Sequence, residues 1–282
     1  MIKKQNFLKL KEIPPYLYHG TKLSFKSAKM LNVRDSKSEI PVVVSLTTIP
    51  SRVKQVHLTV RSILSQNSKP KKIVLWLHES FKENLPGNLK RLQGDIFEVR
   101  YSPHTFSHRK LMHSLVAFPE DAIVTVDDDM MYPPEFLEKL YSAHLKFPKD
   151  VTTHYARKIS FDDFGNPLPY LQWPYIGKQP ENAKFVMPVG VFGVLYPPHC
   201  LDKRAIDVPL IKKLSPKSDD LWFKTMALLK GTKARLSEDR PSKSILILGT
   251  QRDALKRTNN EKDYKRVQWE QIMDYFDISS EE

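Results

Sequence analysis

Residues 122–129 read Ala122-Ile123-Val124-Thr125-Val126-Asp127-Asp128-Asp129, an apolar, largely β-branched run that ends without a spacer in three carboxylates. Its length and its lack of polar alternation predict a strand buried on both faces. Adjacent aspartates repel one another, and a solvated loop gains nothing from them. A divalent cation resolves the conflict, because hard carboxylate oxygens bind Mg2+ or Mn2+ and such ions bridge to substrate phosphates. In an extended segment Asp127 and Asp129 point to one side and Asp128 to the other. One or both of the outer pair can then reach the metal, and Asp128 is free to bond a sugar or ribose. The competing reading is an acidic turn or helix cap, and the place at the end of a buried strand weighs against it.

Upstream, Val42-Val43-Val44-Ser45-Leu46 is a second buried run, followed by the turn Thr47-Thr48-Ile49-Pro50-Ser51-Arg52. Val53, Val56, Val60, Ile63 and Leu64 then fall at helical spacing. Further strands are predicted over 73–77 and 96–101, with an amphipathic helix over 109–118 before the acidic strand. Pro133-Pro134 suits the first turn of a helix running to 147. Strand and helix alternate from 41 to 147, which predicts an α/β fold with a mostly parallel sheet flanked by helices. Ligands of such sheets lie at the carboxyl ends of the strands. Thr47-Thr48, His78-Glu79 and the acidic triplet should therefore meet on one edge.

Beyond 151 the pattern loosens. Asp162, Gly165 and Asn166 mark a hairpin tip over 161–167. Gly190 and Gly193 interrupt an apolar stretch, which points to close backbone approach. Ser218 is placed to cap a helix that Gly231 ends, and a short strand over 245–248 and a helix over 264–276 follow. Trp173, Tyr170 and Tyr175 are candidates for stacking on sugars, with plain packing an equal reading. Residues 1–40 read as an irregular arm with a short helix, and 279–282 as a loose tail.

The segment Thr125-Val126-Asp127-Asp128-Asp129-Met130-Met131-Tyr132-Pro133 resembles the metal-binding DXD region of GT-A glycosyltransferases. Residues 42–52 resemble the first strand and nucleotide-binding turn of that fold. Ser218-Asp219-Asp220-Leu221-Trp222-Phe223 is similar to the acidic element that opens a helix behind the acceptor site. The order and spacing match bacterial cell-envelope polysaccharide members, of capsule and lipopolysaccharide synthesis, over residues 41–231. The resemblance implies a GT-A fold, a nucleotide-sugar donor of UDP type, a glycan or lipid-linked acceptor, an inverting mechanism and Mn2+ or Mg2+.

It also implies roles. Thr47, Thr48 and Arg52 would contact the nucleotide. Arg109 and Lys110 would meet the diphosphate or sugar, with a solvated helix face as the alternative. Asp127 and Asp128 would touch the donor, and Asp127 and Asp129 the metal. The catalytic base is Asp219 or Asp220; Asp220 fits the second acidic position of the pattern, and the other carboxylate is read as a helix cap. Some relatives use a late histidine as a further ligand, but His104, His108, His113, His154 and His199 offer no match. On this reading 41–150 is the donor half, 151–250 the acceptor half of the same domain, and 251–282 a C-terminal helix and tail.

Composition sets the outer bounds. Lys and Arg number 45 against 32 Asp and Glu, a formal charge of +13. Such a surface attracts phosphate-bearing substrates and anionic membranes. No Arg-rich block alternates with aromatics as in a nucleic-acid groove, so nucleic acid is not an expected partner. A basic nucleic-acid-binding protein would leave the acidic triplet unexplained. A sugar nucleotidyltransferase also combines a parallel sheet with acidic metal ligands, but residues 47–52 lack the glycines of a phosphate loop. One cysteine, Cys200, permits no internal disulfide. No apolar run approaches the roughly 20 residues of a membrane span, and the first ten residues lack a signal-peptide core. The expected location is the cytoplasm, with peripheral contact at the inner membrane face.

Overall fold

The computed structural model describes residues 12–34, 38–250 and 263–281. The four strands predicted between 41 and 126 form: β1 (Glu39–Thr47), β2 (Lys69–His78), β3 (Phe97–Ser102) and β4 (Ala122–Thr125). They are joined by β6 (Val151–Thr153), β9 (Val194–Tyr196) and β10 (Ala234–Leu236) in one sheet of order β10-β6-β9-β4-β1-β2-β3. Only β9 runs against its neighbours, β4 and β6. The mostly parallel α/β architecture is thus the one the alternation predicts. Two small antiparallel pairs lie beside it. One joins β5 (Met130–Met131) to β11 (Ile245–Leu246), and the other joins β7 (Ala156–Lys158) to β8 (Val186–Pro188).

β1 shows why an unbroken apolar run reads as a central strand. Val42, Val44 and Leu46 pack with Ile63, Leu64 and Phe136 on one face, and Val43 packs with Val74 and Trp76 on the other. Helices α3 (His57–Leu64), α4 (Gly87–Leu92), α5 (Arg109–Ala117), α6 (Phe136–Lys146), α7 (Val208–Leu214) and α8 (Asp219–Lys230) accompany these strands. Gly231 ends α8 in the left-handed conformation, φ 79°, as expected. Gly193 explains its own place: at φ 83° it passes so close to Phe136 that an added Cβ would lie 2.4 Å from the ring. The hairpin tip forms, with Phe161 bridged to Pro167 and Asp162 accepting the amides of Phe164 and Asn166.

Several boundaries differ from expectation. The helix expected from 53 begins at His57, because the preceding residues form turns in which Arg52 and Gln55 carbonyls and amides pair locally. Pro133-Pro134 stand before α6 rather than inside it, and their carbonyls accept from Phe136 and Asn67. The described part of the N-terminal arm is more regular than expected. It forms α1 (Ile13–Phe25), with Pro14 and Pro15 in the first turn, and α2 (Ala28–Leu31). The rest of that arm, 1–11 and 35–37, lies outside the described residues, as do 251–262 and residue 282 of the expected C-terminal region. A helix covers Tyr264–Phe276 as predicted. Among the described residues no helix is long and apolar enough to cross a membrane.

Candidate active site

The parallel registers Ser45 with Thr125 and Thr47 with Trp76 bring the carboxyl ends of β4, β1 and β2 to one edge. Thr48 and the acidic triplet meet there. The Thr48 hydroxyl donates a short hydrogen bond to Asp128 Oδ2, and Arg52 Nη1 donates to Asp128 Oδ1 at 2.7 Å. The third expected segment, His78-Glu79, ends β2 on the same edge, where His78 Nδ1 accepts from the Ser80 amide.

The aspartates do not alternate. β4 ends at Thr125, and Asp128 and Asp129 lie in a turn before β5. Asp128 and Asp129 therefore share Arg52, at 2.7 and 3.3 Å, while Asp127 faces Lys110 at 2.6 Å. The extended-chain expectation, with Asp128 opposite the outer pair, fails because the chain turns as soon as it leaves the sheet and Asp128 and Asp129 meet the same Arg52 nitrogen. Asp128 is the most buried of the three, and its carbonyl accepts from Thr59.

The two basic residues that open α5 do different things. Arg109 is buried and gives its guanidinium to the protein: to Thr47 Oγ1, to the His104 carbonyl at 2.6 Å and to the Thr48 carbonyl at 2.5 Å. Thr47 Oγ1 in turn donates to the Trp76 carbonyl. Together they fix the turn after β1. Lys110 instead reaches the carboxylates, 2.6 Å from Asp127 Oδ1 and 3.0 Å from Asp219 Oδ2. Its backbone is anchored by a buried polar chain whose members carry no motif. Trp76 Nε1 donates to Ser114 Oγ, Ser114 to Ser45 Oγ, and Ser45 to the Lys110 carbonyl.

Asp219 and Asp220 open α8, as expected. Ser218 holds the N-cap position, but its side chain makes no capping bond. Asp219 pairs with Lys110 and lies beside the buried His108. Burial opposes its charge, but Lys110 and His108 outweigh burial and hold its carboxyl below the usual range. Asp220 accepts the Gly190 amide at 3.2 Å and lies 3.5 Å from Lys265 Nζ. Burial pushes its carboxyl up to about 6; Lys265 opposes that shift and the neighbouring Asp219 adds to it. Neighbouring carboxylates are thus driven apart, the pattern that separates a charged structural group from a titrating one.

Lys265 belongs to the Tyr264–Phe276 helix and also sits 4.6 Å from the Tyr170 ring centroid. The apolar spacing of that helix identifies its buried face but gives no sign that a lysine there reaches the acidic edge. Trp173 is wholly buried and donates to the Leu168 carbonyl, so it is core. Tyr170 is buried too, and Tyr175 is exposed under the Arg157 guanidinium. His104 and His113 stack on each other, His154 is buried against the Phe136 carbonyl, and His199 faces Glu120 on the surface. Among the described residues no group of three His, Cys, Asp or Glu side chains is placed to enclose a metal ion.

A mostly parallel sheet with a carboxylate turn at its carboxyl edge is consistent with a GT-A, Rossmann-like fold. Residues 51–194, just over half of the sequence, match glycosyl transferase family 2, and the chain belongs to that family. Among solved structures it is similar to 4-diphosphocytidyl-2C-methyl-D-erythritol synthase from Anaerococcus prevotii, with 13% identity, 78% of this chain and 95% of that one covered, and a TM-score of 0.50. It is also similar to CMP:2-keto-3-deoxy-manno-octonic acid synthetase complexed with CTP, with 12% identity, 79% and 99% covered, and a TM-score of 0.43. At 13% identity the likeness to the first is one of fold alone. No curated protein matches it in sequence.

Proposed function

We propose that this protein transfers a sugar from a nucleotide-sugar donor, of UDP type, to a hydroxyl of a glycan or lipid-linked acceptor in bacterial surface-polysaccharide synthesis, with inversion. Membership of family 2 supports glycosyl transfer. The observation that carries the mechanism is Asp220, held by the Gly190 amide with its carboxyl raised to about 6. A base with that pKa is ionised at neutral pH yet still accepts a proton from an acceptor hydroxyl as it attacks.

In the step, the acceptor oxygen bonds to the anomeric carbon as the bond from that carbon to the donor diphosphate breaks. The hydroxyl proton passes to Asp220, and the nucleoside diphosphate leaves with the bonding electrons. Thr48 and Arg52 hold Asp128 in place for the donor, and Arg109 keeps Thr47 and Thr48 in position for the nucleotide. The donor set suits a hard divalent ion shared with the substrate rather than one enclosed by protein: Asp127 is a third exposed and Asp129 is partly so. Mn2+ or Mg2+ held by Asp127 and Asp129 would neutralise the leaving diphosphate. Lys110 supplies fixed positive charge between Asp127 and Asp219.

The test is a panel of UDP-, GDP- and CMP-sugars with and without Mn2+, read as nucleotide release and as the anomeric configuration of the product. Transfer with release of nucleoside diphosphate supports the reading. Formation of a nucleotide sugar from a nucleoside triphosphate and a sugar phosphate, with pyrophosphate released, would identify a nucleotidyltransferase instead.

A further inference from the structure

Helix α1 is apolar on two faces, and only one is covered. Tyr16 and Leu23 on the inner face join Leu58, Met131, Ile245 and Ile247 in a small core beside β11. Arg61 on α3 pins the end of the helix by donating to the Leu23 carbonyl at 2.9 Å and the Lys26 carbonyl at 2.7 Å. The outer face is therefore presented from a fixed mount. It carries Leu17, Tyr18 and Phe25, which are 56%, 64% and 85% exposed. Tyr18, Lys22 and Phe25 stand four and three residues apart, one stripe of a helix. Met30 and Val33 continue the exposed apolar series around α2. Five of the thirteen large apolar side chains exposed among the described residues thus fall within 17–33, where single scattered ones would need no explanation.

We infer that α1 is a docking helix whose outer face seats on an anionic lipid bilayer. The charge pattern selects this occupant. Lys22, Lys26 and Lys29 flank the apolar side chains, and neither α1 nor α2 contains an acidic residue. A second copy would set lysine against lysine, whereas anionic headgroups neutralise the lysines while apolar side chains enter the acyl boundary. Tyr18 is an aromatic suited to headgroup depth, and Phe25 and Leu17 are suited to the acyl boundary. On the flank of α1, His19, Lys22, Lys26 and Lys243 line a cavity of about 340 Å³ whose wall includes Met131 and Ile245, with room for a headgroup phosphate; its one carboxylate, Glu135, is engaged by the Ser242 amide. β5, beneath this cavity, directly follows the acidic triplet, so docking holds the acidic edge near the membrane. The charge of the whole chain predicts attraction without a surface; α1 supplies the surface.

The experiment is co-sedimentation of the full chain with vesicles of phosphatidylcholine alone and of phosphatidylcholine mixed with phosphatidylglycerol, at low and high salt. Binding should require the anionic lipid and weaken as salt screens it. Leu17→Glu combined with Phe25→Glu should lower the vesicle affinity roughly tenfold or more, in line with the burial of large apolar side chains. Lys22→Glu combined with Lys26→Glu should remove the preference for anionic lipid. All four positions face solvent or a cavity edge, so thermal melting of the variants should match the parent. Absence of binding at low salt overturns the inference, as does equal binding to neutral vesicles. Unchanged binding by the Leu17→Glu, Phe25→Glu variant also overturns it by placing the contact elsewhere on the chain. A concentration-dependent dimer that Phe25→Glu disrupts, without vesicle binding, would make a second copy the occupant. No sugar transfer enters the readout, so failure here leaves the proposed activity standing.

Discussion

The Gly190 amide donates to Asp220 Oδ1 at 3.2 Å, and a Cβ on Gly190 would lie 2.5 Å from that same oxygen. The loop before β9 and the first turn of α8 approach so closely that only a hydrogen side chain leaves the carboxylate where it is. Gly190→Ala should therefore displace Asp220 while leaving the sheet intact. A shift of about 1 Å in a reacting group can cost on the order of 100-fold, so turnover should fall by 10- to 100-fold with little change in melting temperature. Parental turnover in a well-folded variant would remove Asp220 from the mechanism.

The raised Asp220 carboxyl has a defined pH signature. The base works only when ionised, so turnover should rise with pH through about 6 and then level off. Asp220→Asn keeps shape but cannot take the proton, and should lower turnover by about 100-fold or more and abolish that acid limb. The linkage to stability has the opposite sense. The folded state holds the Asp220 proton to higher pH than the unfolded state, so this group's contribution is full below the ordinary carboxyl range and is lost as pH rises through about 6. Urea midpoints of parent and Asp220→Asn across pH 4–7 measure it.

Arg52 binds three groups at once: Asp128, Asp129 and the Thr250 carbonyl. A lysine carries the charge but lacks the planar fork. Arg52→Lys should weaken nucleotide-dependent thermal stabilisation by roughly tenfold in apparent affinity, one lost charge-assisted contact. Equal stabilisation of parent and variant by every nucleotide tested would show that this turn does not serve the donor.

The fold was legible because its strands are unbroken apolar runs, a pattern that survives without knowledge of partners. β1 and β4 needed both faces covered, and parallel pairing with crossover helices is what covers them. Gly190 and Gly193 announced close approaches but not their partners, Asp220 and Phe136. The failure over Asp127, Asp128 and Asp129 has a simple cause. Side-chain alternation holds only while the strand lasts, and β4 ends two residues before the triplet. Lys265 was invisible because its partner lies 45 positions earlier, a pairing that only the packing of the last helix against α8 creates. The mount of α1 was hidden for a similar reason, since Arg61 reaches backbone carbonyls, which carry no sequence signature.

Lys110 joins two carboxylates of the acidic edge that come from different elements, Asp127 and Asp219. Its ammonium is buried between Asp127 and Asp219, and the charges of Asp127, Asp219 and Asp220 raise its pKa well above the ordinary lysine value despite burial. Lys110→Met keeps the volume of the stem and removes the charge, leaving Asp127 and Asp219 to repel one another. Breaking a buried pair costs about 3–5 kcal/mol, and because Asp127 is a third exposed the loss should lie nearer 2–3 kcal/mol after solvent screening. Lys110→Arg, which restores a cation, should recover most of it. The variant also separates two accounts of the carboxylates. If Asp127 shares a divalent ion with the donor, Lys110 competes with that ion, and its removal should make Mn2+ raise the melting temperature more in Lys110→Met than in the parent. If Mn2+ leaves both melting temperatures unmoved, with and without UDP, the carboxylates serve only the internal cations Lys110 and Arg52, and the metal assignment to Asp127 and Asp129 is wrong.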